Sequence, residues 1–170
     1  PTVLSKDIYA TEVLTEILSG QGGRLFIELR DKKSLAYSLS AFARPGVEPG
    51  TFGVYIGTAP GKKEAAITGI TEELKKITKE KVSEEELERA KGSLTGNHDM
   101  SLQSVSAQAS DMTNNELLGL GYDNFKRYAR NIDSVTTEDV LVAAKKYITL
   151  DRYVISIVGP EDKKKEEETP

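Results

Sequence analysis

Leu35-Ala-Tyr-Ser-Leu-Ser-Ala-Phe42, followed after a turn-rich connection by Thr51-Phe-Gly-Val-Tyr-Ile-Gly-Thr58, is the part of the sequence that decides the fold. In the first run Leu35, Tyr37, Leu39 and Ala41 fall on one face and Ala36, Ser38, Ser40 and Phe42 on the other, the period of two that a strand imposes. The second run alternates through Phe52, Val54 and Ile56. Between them Arg44-Pro-Gly-Val-Glu-Pro-Gly50 is rich in turn formers, so the two runs are expected to pair as an antiparallel hairpin.

On either side of the hairpin the apolar period lengthens to that of a helix. Ile8, Leu14, Ile17 and Leu18 predict a helix over 7–18, ended by Ser19-Gly20, and Leu25 and Leu29 predict a second over 24–32. Residues 62–79 form an amphipathic pattern with Ala66, Ile70, Leu74 and Ile77 on one face. Ser83 and Glu86 make a capping box for the next helix, which is expected to break at Gly96-Asn97. A helix over 102–118 carries Leu102, Val105, Ala109 and Met112, and two more carry Phe125, Tyr128 and Ile132, then Val140 and Ala144 behind a Thr136 cap. Tyr153-Val-Ile-Ser-Ile-Val158 reads as a final strand. The expected fold class is therefore α+β: an antiparallel sheet made of the hairpin 35–42/51–58 and a C-terminal strand 152–158, packed with about six helices. Residues 1–160 form one expected domain, and residues 161–170, with no apolar side chain, a disordered charged tail.

The chain has 170 residues, 38% of them apolar, enough for one domain with its own core. No apolar run approaches the roughly 18 residues of a membrane span, and no signal peptide is recognisable. Because it begins at Pro1 and passes almost at once into helical sequence, the chain reads as a piece of something longer. Zero cysteines exclude disulfides, thiolate metal sites and cysteine nucleophiles, and suit bacterial cytoplasm and periplasm alike. A single His leaves too few imidazoles for a typical catalytic zinc site. With 23 Lys+Arg against 27 Asp+Glu, a net charge of −4 argues against a nucleic-acid partner.

Few residues remain to carry chemistry. Gly20, Gly22 and Gly23 lack the Lys-Ser/Thr ending of a phosphate loop and read as a turn, a small-molecule loop being the less favoured alternative. His98 reads as a polar residue in a connection, and Glu84, Glu85 and Glu86 suit the first turn of a helix without a metal. Arg30 and Tyr37 differ. One ends a predicted helix and the other lies on the following strand, so both can point to the same end of the sheet. A guanidinium fork and a phenol can together hold a peptide carbonyl or stabilise an oxyanion. Tyr37 can equally be core, and Arg30 can pair with a surface acid.

Several blocks resemble a known family. Gly22-Gly-Arg-Leu-Phe-Ile-Glu-Leu-Arg-Asp-Lys-Lys-Ser-Leu-Ala-Tyr37-Ser, Ser83-Glu-Glu-Glu-Leu-Glu-Arg-Ala-Lys91, Ser134-Val-Thr-Thr-Glu-Asp-Val140 with Ala144-Lys-Lys-Tyr147, and Val158-Gly-Pro resemble the C-terminal-type domain of pitrilysin/insulysin-like zinc metallopeptidases, the group that includes the mitochondrial processing peptidases. The resemblance implies one half-unit of a clamshell that closes on an unfolded peptide. It places the zinc motif, an inverted H-x-x-E-H, on a partner domain or subunit, and none of that motif is present here. It implies no metal or cofactor in this chain, and assigns Arg30 and Tyr37, in their Leu-Arg-x5-Ala-Tyr context, to the substrate carbonyl.

The implied function is a zinc-free domain, inactive alone, that binds extended peptide and supplies Arg30 and Tyr37 to a zinc-bearing partner. The alternative is a non-catalytic assembly protein sharing the fold. The family domain begins with a strand ahead of its first helix, where this chain has only Pro1-Thr-Val-Leu4. An open sheet edge is therefore expected, through which the chain can pair with a second copy.

Overall fold

The computed structural model describes residues 1–20 and 22–159. Helix α1 (Ile8–Ser19) buries Ala10, Val13, Leu14, Ile17 and Leu18. Strands β1 (Ser38–Arg44) and β2 (Thr51–Gly57) pair antiparallel, with Ala41 opposite Val54 at the middle of the ladder. Helices α2 (Lys63–Ile77), α3 (Glu84–Ser101), α4 (Val105–Leu117), α5 (Phe125–Asp133) and α6 (Thr137–Tyr147) follow. The class is α+β, as expected. β1, α3 and α6 all pack on α1, and the core continues through Leu25, Leu29, Ile77, Leu87, Ile132 and Val140. No helix among the described residues is long and apolar enough to cross a membrane.

The expected capping box at Ser83 forms, and the expected cap at Thr136 proves to be a second one. The Ser83 hydroxyl accepts from the Glu86 N–H while the Glu86 carboxylate accepts from the Ser83 N–H, and Thr136 and Asp139 repeat the arrangement at α6. Gly22 adopts φ +81°, and the Gly23 N–H donates to the Gly20 carbonyl at 2.6 Å. These backbone groups are thus used within a turn.

Five expectations need correction. The segment 152–158 is not a strand of this sheet: it joins no ladder, and Val154 and Val158 are 95% and 98% exposed. Alternation gives a segment the side chains of a strand, but a ladder also needs the segment laid alongside an edge; β1 and β2 each keep an outer edge, and 152–158 is not paired with either. Gly96-Asn97 does not break the helix, because one internal glycine costs only about 1 kcal/mol against a long hydrogen-bonded run. The expected 24–32 helix is π-helical over Phe26–Lys32. Finally, β1 starts at Ser38. Ser34 has a left-handed φ of 51° and Leu35 is tied back to Leu29, so the chain turns before it can extend. The expected stripe on α4 is also left uncovered: no α4 residue is buried, and Val105 is 83% exposed. Residues 161–170 lie outside the described residues.

An ion pair ties the start of the π-helical segment to α3. Arg24 Nε and Nη2 donate to the two carboxylate oxygens of Glu86 at 2.6 and 2.8 Å. That forked contact, opposed by partial burial and helped by the Ser83 backbone, holds the Glu86 carboxyl well below its ordinary 4.5, at about 2. Ionised Glu86 therefore stabilises the fold above pH 4.5, and its contribution is lost as the pH falls towards 2.

Two outcomes are expected. Leu14→Ala, at a fully buried site on α1, should lower the unfolding free energy in urea by about 2–5 kcal/mol, whereas Val105→Ala should change it by less than about 0.5 kcal/mol. Glu86→Gln should flatten the loss of stability between pH 4.5 and 2 relative to the wild type, measured by denaturation at stepped pH.

Candidate functional site

Arg30 lies near the end of the π-helical segment and Tyr37 immediately before β1, so the two flank one short loop. Short π-helical stretches are uncommon and concentrate at functional sites, where the wider turn re-aims a side chain. The loop is fixed by its backbone. The Ser34 N–H donates to the Arg30 carbonyl at 3.0 Å, the Leu35 N–H to the Leu29 carbonyl at 2.7 Å, and the Tyr37 N–H to the Gly57 carbonyl at 3.0 Å. The Thr58 hydroxyl donates to the Leu35 carbonyl at 2.5 Å and Lys62 Nζ to the Ser34 carbonyl at 2.8 Å. Leu29 and Leu35, the inward residues on either side, are buried in the core.

The two side chains point outward from this rigid base. Tyr37 is 74% exposed, so it does not share the buried face of Leu35, contrary to the strand reading. Its ring lies over Gly57: a Cβ there would come within 2.6 Å of ring carbons Cε1 and Cζ, so the missing side chain makes the room. The Arg30 guanidinium sits 4.5 Å from the centroid of the Phe26 ring, a cation–π contact that orients it without neutralising it. The two residues are held at the ends of one loop, and both polar groups remain open to solvent. Such a pair has donors to offer, and no hydrogen-bond or ion-pair partner among the described residues must first be displaced.

His98, expected in a connection, lies inside α3 and stacks on Tyr128 with ring centroids 4.1 Å apart. Its Nε2 is buried with no hydrogen-bond partner among the described residues. No group of three or more His, Cys, Asp or Glu placed to hold a metal occurs among the described residues, so these residues do not fit a zinc site. The polar cluster around His98 escaped the sequence reading. Its signal is polar residues at helical spacing, Tyr9 with Glu12, Asp111 with Asn115 and Asn124 with Tyr128, which composition alone does not separate from solvent-facing residues.

Comparison with known proteins places the chain. A protein from Rickettsia felis named as an uncharacterized zinc protease is 30% identical over 169 residues, covering 95% of this chain and 39% of its own length. The chain spans between 32% and 39% of the first curated relatives it matches. Among solved structures, a peptidase M16 inactive domain from Pseudomonas fluorescens superposes with a TM-score of 0.78 at 23% identity, covering 86% of this chain and 35% of the other. A protease from Helicobacter pylori gives 0.77 at 24% identity, with 88% and 36% covered. At such identities the likeness is one of fold. Residues 1–94 match the model of the Peptidase M16 inactive domain, and with more than half of its residues inside that match the chain belongs to that family.

Proposed function

We propose that this chain is the zinc-free domain of a pitrilysin-like metallopeptidase, inactive alone, which binds extended peptide and presents Arg30 and Tyr37 to the carbonyl of the bond being cut. The metal would belong to a partner domain or subunit. The observation that carries the reading is the state of the pair: two strong donors on a loop tied by five hydrogen bonds, with no ion pair among the described residues and no buried role to explain them. Arg30 would orient and polarise the carbonyl. Tyr37 would donate to the oxygen as negative charge develops on it. Donors already fixed before substrate arrives cost little reorganisation, which is how oxyanion stabilisation gains its effect. The zinc-protease names of the relatives support the same reading.

The test reconstitutes the chain with its zinc-bearing partner and follows cleavage of a peptide. Tyr37→Phe and Arg30→Ala should each lower kcat by about a hundred- to thousand-fold while leaving the thermal midpoint within error of the wild type, since both side chains are exposed. Unchanged turnover in both variants would favour a structural role in assembly instead.

A further inference from the structure

A cavity of about 180 Å³ opens between α1, the C-terminal half of α3, α4 and the start of α5, and no residue of the Arg30–Tyr37 loop lines it. On one wall the Tyr128 hydroxyl donates to Glu12 Oε2 at 2.8 Å, and the same Tyr128 ring stacks on His98. On the other wall runs a relay of side chains. Tyr9 Oη donates to Asn124 Oδ1 at 3.4 Å, Asn124 Nδ2 to Asn115 Oδ1 at 3.3 Å, and Asn115 Nδ2 to Asp111 Oδ2 at 2.7 Å. The relay ends on a carboxylate, as does the Tyr128 contact. Glu12 Oε1 and Asp111 Oδ1 are left as acceptors, and neither acid is paired with a Lys or Arg among the described residues.

Val3, Ile8, Leu120 and Phe125 complete the walls, so the lining joins acidic and aromatic groups to an apolar part, and that combination narrows the occupant. Two carboxylates repel an anion, and no Lys or Arg lines the walls to offset them. The described residues offer no three-ligand group for a metal ion. A neutral apolar molecule would leave the Glu12 carboxylate buried without a counter-charge, and burial already pushes the Glu12 carboxyl up despite the Tyr128 hydroxyl and the nearby His98. A cation satisfies both walls: the carboxylates supply charge, and Tyr9 and Tyr128 supply aromatic rings. At about 30 Å³ per water the space equals about six waters, room for a charged head group and a short stem and too small for a peptide segment.

We propose that this cavity binds an alkylammonium group, with Glu12 and Asp111 as its counter-ions and the Tyr128–His98 stack as its wall. The group can come from a free small amine or from the tip of a lysine side chain. His98 is the only histidine in the chain, so its imidazole NMR signals report on this cavity without ambiguity. The full chain is titrated with n-butylammonium, with the blocked amide of lysine, and with 1-butanol as the neutral match in size. Butylammonium should shift the His98 signals saturably, and butanol should not. Equal binding of the lysine amide would identify a side chain as the source, and its failure beside butylammonium a free amine. Glu12→Gln should weaken binding at least tenfold, and Asp111→Asn should weaken it several-fold in a chain whose circular dichroism matches the wild type. No saturable shift at millimolar butylammonium, equal shifts with butanol, or undiminished binding in both variants would overturn the proposal.

Discussion

Val13, Leu14 and Leu18 on α1 are completely removed from solvent, and that burial governs where the rest of the chain lies. A helix so apolar is stable only when neighbours cover it on several sides. Here β1 covers one side and α3 and α6 others. The Thr11 hydroxyl, also buried, turns back to the Asp7 carbonyl at 2.9 Å, so the fully buried polar side chain of this helix needs no outside partner. Asp7 in turn accepts from Lys146 Nζ and the Tyr147 hydroxyl, which ties the start of α1 to the end of α6.

The position of the Arg30–Tyr37 loop follows from this packing. The Gly23 N–H closes back on the Gly20 carbonyl just after α1, Arg24 fastens the next segment to Glu86 on α3, and Leu29 and Leu35 anchor the loop in the core that α1 organises. What reaches solvent is therefore carried on a base with little freedom. A pair of donors held this way can act on a substrate without first paying the entropy of ordering its own backbone. Gly57 completes the arrangement, since a side chain there would push the Tyr37 ring from its place.

Much of this is legible in the sequence, and for identifiable reasons. Capping boxes and long apolar periods depend on neighbours in the chain, so Ser83, Thr136 and the α1 stripe all read correctly. Features that depend on distant partners do not. Tyr37 alternates with Leu35 and Leu39, and only the left-handed Ser34 and the bond from Leu35 to Leu29 show that the strand begins at Ser38, three residues later than the alternation suggests. Tyr153–Val158 alternates as a strand would and pairs with nothing among the described residues, because alternation says nothing about a free edge. The π-helical turn leaves no trace in a pattern of Leu25 and Leu29 that an ordinary helix shares. His98 was hidden by Gly96-Asn97, a breaker signal that a long helix overrides.

The central claim is that the exposed Arg30 and Tyr37 meet a substrate carbonyl once the chain is assembled with a zinc-bearing partner. A structure of that assembly with a bound, uncleaved peptide tests it most directly. The account predicts the Tyr37 hydroxyl and the Arg30 guanidinium both within hydrogen-bond reach, about 2.6–3.2 Å, of the oxygen of one peptide carbonyl beside the metal. It is contradicted if that carbonyl is held by other residues while the Arg30–Tyr37 loop faces the outside of the assembly.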